Sequence, residues 1–192
     1  MISSICCSDK NIIYSHDFNV HTISTSDFQK RYNYGKPGPS IVSTAVRWDG
    51  ILFAYATQKG DITIRDIVRK AHVKSYKKHR DPPYALEFCY RNPVLASADD
   101  DKVINLFDYA TGKVATRIEK CHSNFVRVVR MMRSNPSTLL SGGFDKVVKF
   151  WDVRADEKLQ YQYLHEDEVQ DLQLFENDNK MVSVSGKKVS TP

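Results

Sequence analysis

Apolar and polar residues alternate along most of this chain with a period of two, in short runs bounded by turn residues, and no segment sustains a helical period. The pattern predicts strands at Ile12-Ile13-Tyr14 and Val20-His21-Thr22-Ile23, then at Ile41 to Val46, Leu52 to Ala56 and Ile62 to Asp66, with turns at Asp49-Gly50 and Gly60-Asp61 between the last three. Further on it predicts Tyr84 to Phe88, Val94 to Ser97, Val103 to Asp108 and Lys113 to Ile118. The same order returns as Phe125 to Met131, Leu139 to Gly143, Val147 to Asp152 and Leu159 to Leu164, before Val169 to Phe175 and Met181 to Val184. The expected class is all-β.

These runs repeat. His79, His122 and His165 stand 43 residues apart, while Ser97 and Ser141, Asp101 and Asp145, and the dipeptides Phe107-Asp108 and Trp151-Asp152 each step by 44. A period of about 40–45 residues with four strands per copy is that of one propeller blade. We therefore expect a β-propeller of about four blades plus part of a fifth, at 1–34, 35–78, 79–121, 122–164 and an incomplete 165–192. The segment Asn33 to Pro39, rich in Gly and Pro, reads as the loop between the first two. Closed rings have about 4–8 blades. The expected arrangement is thus an open or incomplete ring whose edges need covering.

The recurring residues have a chemical logic. A histidine ahead of the first strand can bond the turn aspartate and the second-strand serine, and that serine can accept an indole N–H from the third strand. His122, Asp145, Ser141 and Trp151 make a complete set; His79, Asp101 and Ser97 make one in which Phe107 replaces the indole; His165 opens a third. Ser, His and Asp together also suggest hydrolysis. Recurrence once per blade, beside an indole, favours a structural role, and G-x-S-x-G, G-x-x-x-x-G-K-[ST] and H-E-x-x-H are absent. Histidines on successive blades are too far apart to share a metal. No catalytic residue, cofactor, metal or small-molecule substrate is expected.

Composition changes this picture little. The chain of 192 residues is 41% hydrophobic and 27% charged, without an apolar run of 18 residues, so no membrane-spanning helix is expected. The start lacks a basic head and a long apolar run, and Cys6, Cys7, Cys89 and Cys121 show no C-x-x-C spacing; they are expected to be reduced thiols inside the cell. A net charge of +5 permits an acidic partner. The segment from Arg69 to Arg80 holds Arg69, Lys70, Lys74, Lys77, Lys78 and Arg80 on an outer strand and the following loop. It reads either as a phosphate-binding stripe or as an ordinary solvated face. Arg127, Arg130 and Arg133 form a second basic cluster, in which alternation puts Arg127 and Arg133 on one face. Most of the 21 aromatic residues are expected in the cores between blades.

Taken together, these residues resemble the WD-repeat family of β-propellers over most of the chain. Trp151-Asp152 carries the signature intact, Phe107-Asp108 and Arg65-Asp66 carry variants, and the glycine usual before the blade histidine is replaced by Lys78, Cys121 and Leu164. The order Val46-Arg47-Trp48-Asp49-Gly50, then Leu140-Ser141-Gly142-Gly143-Phe144-Asp145 through Val153-Arg154, is similar to that of a WD-repeat subunit of the small-subunit processome. This resemblance implies a non-enzymatic nucleolar scaffold for pre-ribosomal RNA processing. Its implied partners are protein subunits of a ribonucleoprotein assembly and pre-ribosomal or small nucleolar RNA. Trp151-Asp152-Val153-Arg154 also resembles the box by which some WD-repeat substrate receptors dock on a cullin ligase adaptor, which would use Asp152 and Arg154.

Overall fold

The computed structural model describes residues 2–16, 18–34, 39–77, 79–175, 177–186 and 188–190. All of its regular structure is strand, in five antiparallel sheets. The first holds β1 (Ile2–Cys7), β2 (Asn11–His16), β3 (Asn19–Ser24) and β4 (Lys30–Asn33) in sequential order. The second holds β5 (Ile41–Val46), β6 (Leu52–Thr57), β7 (Asp61–Asp66) and β8 (His72–Lys77). The third runs from β9 (Ala85–Phe88) through β10 (Val94–Ala98) and β11 (Ile104–Asp108) to β12 (Lys113–Ile118). The fourth holds β13 (Val126–Met131), β14 (Thr138–Gly143), β15 (Val147–Asp152) and β16 (Leu159–Leu164). A three-stranded fifth is made of β17 (Val169–Phe175), β18 (Lys180–Ser185) and β19 (Lys188–Ser190). This is four blades and part of a fifth.

In the second, third and fourth sheets the inner strands are largely buried and burial falls at the outer strand. Strands β6 and β10 are buried on both faces, β7 alternates, and the outer strands β8, β12 and β16 are mostly exposed. Strands covered on both sides need near-continuous apolar sequence, which Leu52-Phe53-Ala54 and Val94-Leu95-Ala96 supply. Outer strands β4, β8 and β12 each carry Lys or Arg, whereas β16, Leu-Gln-Tyr-Gln-Tyr-Leu, carries no charge.

The chain forms two compact units, Met1–Phe88 and Cys89–Pro192. In the first, Ile13, Val20, Tyr34, Ile41 and Phe53 make a core between the first two sheets. In the second, Val128, Leu140 and Val148 pack against Val169, Leu172 and Met181 of the fifth sheet. Alternation alone does not reveal the β-bulges. One recurs at the start of the first strand, between Ile2/Ser4, Ile41/Ser43, Val126/Val128 and Val169/Asp171. Another recurs between the third and outer strands, at Thr22/Ile23, Ile64/Arg65, Leu106/Phe107 and Phe150/Trp151. Each extra residue raises the local twist.

Two close approaches require glycine. A Cβ on Gly143 would lie 2.3 Å from the Phe125 carbonyl oxygen, which accepts the Phe144 N–H at 2.9 Å. One on Gly60, whose φ is +81°, would lie 2.5 Å from the His79 carbonyl oxygen. Because backbone rather than a side-chain tip is in the way, Gly143→Ala should cost about 1–3 kcal/mol. A lowered urea midpoint at constant slope is expected, and an unchanged midpoint would show that the loop gives way freely.

Candidate functional site

The fourth sheet builds its polar core from three strands and the loop before them. His122 precedes β13, Ser141 is central in β14, Trp151 lies near the end of β15, and Asp145 occupies the β14–β15 turn. His122 Nδ1 lies 2.9 Å from both Asp145 carboxylate oxygens, His122 Nε2 lies 2.7 Å from Ser141 Oγ, and Trp151 Nε1–H donates to Ser141 Oγ at 2.8 Å. A carboxylate only accepts and an indole only donates, so His122 Nδ1 carries a proton and Ser141 Oγ–H points at Nε2. Every group is then satisfied without a further partner.

Asp145 also accepts the Ser123 and Val147 backbone N–H groups, at 2.9 and 3.3 Å. Burial alone would weaken it as an acid, but the hydrogen bond from His122, the electrostatic attraction of the imidazole N–H and these backbone donors outweigh burial and hold the carboxyl below its usual range. The arrangement cannot act as a nucleophile. Ser141 is fully buried and its oxygen is engaged by the indole, so no substrate reaches it.

In the third sheet Ser97 and Phe107 are fully buried; Asp101 is exposed, and the neighbouring Asp99 is buried instead, accepting Val103 N–H at 3.3 Å. His79 is buried in the first unit. His165 bonds the buried Ser183 at 3.0 Å, and burial pushes its imidazole below the usual value. Where the period would place an aspartate, four residues after that serine, the sequence has Lys187. Cys121 donates its thiol to the Lys102 carbonyl at 2.9 Å, and burial pushes it up to about 12, so it is an inert core thiol.

The basic residues are spread rather than aligned. Lys74 shares a face of β8 with the buried Tyr76 and is half-buried, whereas Lys77 points the other way and is exposed. Arg69 and Arg80 are exposed, and Lys70 lies with Nζ 4.7 Å over the Tyr32 ring. Lys78 falls outside the described residues. Arg127 sits in the β13 bulge, its guanidinium 4.5 Å over the Phe144 ring and 3.7 Å from Asp100. Arg130 pairs with Asp171 at 2.9 Å, and Arg133 lies beyond the strand end, 5.5 Å over Tyr90. A bulge at one end and a strand terminus at the other thus leave simple alternation without force for this cluster. Asp152 accepts the Arg154 N–H at 2.9 Å in the turn after β15, with Arg154 exposed. Sequence reasoning did not single out Lys149, which donates to the Cys121 carbonyl at 2.7 Å and lies 5.7 Å over the Trp151 ring; no spacing marks it.

A family model for the WD domain, G-beta repeat, matches residues 70–108 and 113–152. The U3 small nucleolar RNA-associated protein 15 homolog of Xenopus tropicalis is 24% identical over 143 residues, which are 74% of this chain and 27% of that protein. The chain thus spans about a quarter of the length of that curated relative. Among solved structures, that of U3-55K superposes with a TM-score of 0.82 at 18% identity, over 95% of this chain and 57% of the other. A chain of the mitotic checkpoint complex gives 0.86 at 17% identity, over 96% and 56%. Likeness at such identities is likeness of fold.

Two outcomes follow for the polar core. His122→Ala strands a buried carboxylate and should cost roughly 3 kcal/mol, whereas Trp151→Phe, which copies position 107, should cost about 1 kcal/mol; equal losses in urea unfolding would contradict the chain of bonds. For His165, a depressed folded-state value means that the unfolded chain binds its proton first as pH falls. Its contribution is present above pH ~6.5 and is lost below that. Asp145 acts in a lower window, its contribution vanishing only as pH falls through its depressed folded-state value. Melting temperature should therefore drop between pH 7 and 5, with a shallower slope in His165→Gln.

Proposed function

We propose that this chain, whose residues 70–152 carry WD40 repeats on a β-propeller fold and whose relatives include ribosome biogenesis factors, is a non-enzymatic scaffold of the small-subunit processome. It would work in the nucleolus, holding protein subunits together around pre-ribosomal or small nucleolar RNA. The observation that carries this reading is the match to the U3 small nucleolar RNA-associated protein 15 homolog, which runs across 74% of the chain rather than over one repeat. The geometry supports a scaffold over an enzyme: the Ser–His–Asp group is sealed and satisfied within its own sheet. Loops and outer strands on such a rigid frame are where recognition is built.

Nucleic-acid contact would fall to the exposed cations Arg69, Lys77 and Arg80, with Lys70 and Lys74 beside them and Lys78 adjoining in sequence. Phosphate neutralisation makes such contacts salt-dependent. Arg127 contributes less, being held against Asp100 and Phe144.

Affinity purification of the tagged chain with mass spectrometry should recover nucleolar processome subunits. Recovery of cullin-ligase components alone would replace this reading with the ligase-receptor one. Lys74→Glu with Lys77→Glu should weaken association with U3-containing RNA and flatten its salt dependence by about 0.7 per lost contact on a log–log plot. An unaltered slope would remove these lysines from the interface.

A further inference from the structure

The tip of the β5–β6 hairpin is held by more bonds than a simple turn requires. Arg47 N–H donates to the Leu52 carbonyl at 2.8 Å and Gly50 N–H to the Arg47 carbonyl at 2.9 Å, with Gly50 at φ +70°. The Arg47 guanidinium grips Asp49 through two bonds, Nε to Oδ1 at 3.0 Å and Nη2 to Oδ2 at 2.6 Å, and Ile51 N–H adds a third at 3.0 Å. From the first sheet, Asn11 Nδ2 donates to the Gly50 carbonyl at 3.0 Å. Burial would raise the Asp49 carboxyl, but Arg47 and the Ile51 amide overcome it and hold the group ionised, below its usual range.

What this fixed turn presents is apolar. Trp48 is 50% exposed and Ile51 37%, and the bond from Ile67 N–H to the Ile51 carbonyl at 2.8 Å brings Val68, 73% exposed, alongside. The other tryptophan, Trp151, is only 5% exposed. Around the apolar centre stand cations. Lys10 is close enough that a Cβ on Gly50 would meet its Cβ at 3.0 Å, and Arg69, 83% exposed, follows Val68, with Lys70 next. Asp49 is engaged within its turn, and Asp66 by the Arg69 amide at 2.8 Å and, more loosely, by the Arg69 guanidinium at 3.8 Å, while Asp9 adjoins Lys10 in sequence.

We propose that Trp48, Ile51 and Val68 form a docking surface for an acidic amphipathic segment of a protein partner, whose apolar side chains cover the tryptophan while its Asp and Glu residues face Lys10 and Arg69. A rigid aromatic anchor at the centre of a charged rim is the anatomy of a binding hot spot, and a preformed turn loses little freedom when covered. The complementary charge fixes the partner's sign. This surface shares Arg69 with the proposed nucleic-acid stripe but lies outside β8, and it does not depend on the processome reading.

Trp48 is itself the probe. The full chain would be titrated with a panel of acidic amphipathic peptides about 15 residues long, varying the spacing and type of the apolar anchors, beside scrambled peptides of identical composition and an oligouridylate. The amphipathic peptides should blue-shift the exposed tryptophan's emission and shield it from iodide. By anisotropy of the labelled peptide, Trp48→Ser should weaken binding about 30-fold. Lys10→Glu with Arg69→Glu, exposed positions that leave the hairpin bonds untouched, should weaken it about tenfold. Lys74→Glu with Lys77→Glu should leave it unchanged. Equal binding of scrambled peptides, protection by oligouridylate alone, no binding across the panel, or indifference to both the Trp48 and the Lys10/Arg69 variants would each overturn the proposal.

Discussion

A four-stranded sheet with apolar side chains on both faces cannot stand in water, and this constraint governs the chain. Phe53 and Leu140 are fully covered because neighbouring sheets supply the missing contacts, Ile13 and Val20 for Phe53 and Val169 and Leu172 for Leu140. Hydrophobic stacking is tolerant of shape, however, and does not by itself fix the angle or register of each sheet. The buried polar bonds add that precision. In the fourth sheet one serine oxygen, one imidazole and one carboxylate tie three strands and the preceding loop to a single arrangement. Such a network is demanding, since a partner missing at any point leaves a desolvated group behind.

The blades meet this demand unequally. Phe107 fills the indole's volume without its N–H, and Asp101 faces solvent while Asp99 is buried. His165 has its serine but a lysine where the period places the acid. Among the described residues, the fourth sheet is the one in which histidine, aspartate, serine and indole of the recurring set stand bonded together.

Much of this was legible in the sequence because it rests on spacing. Strand alternation gave the all-β class, and the period of 43 or 44 residues brought His122, Asp145, Ser141 and Trp151 into one register. What depends on local backbone geometry was not legible. Three consecutive aspartates at 99–101 look alike, and only the turn decides which is buried. The bulges at Arg127 and beside Trp151 insert residues without a compositional mark, so the arginine cluster does not follow simple alternation. Trp48 adjoins the turn that Asp49-Gly50 marks in the sequence, but that Arg47 and Asp49 brace this turn with the ring half exposed has no mark in the spacing.

The uncharged outer strand has a consequence for the molecule in a crowded solution. Lysine and arginine on β8 and β12 repel a second copy, whereas Leu159 to Leu164 offers a row of edge amides and carbonyls flanked by tyrosine and glutamine. Two such borders can zip together without opposing charge, as stacked glutamine and tyrosine ladders do in fibres. Along that border, association between copies meets no opposing charge, and one lysine placed there would supply it.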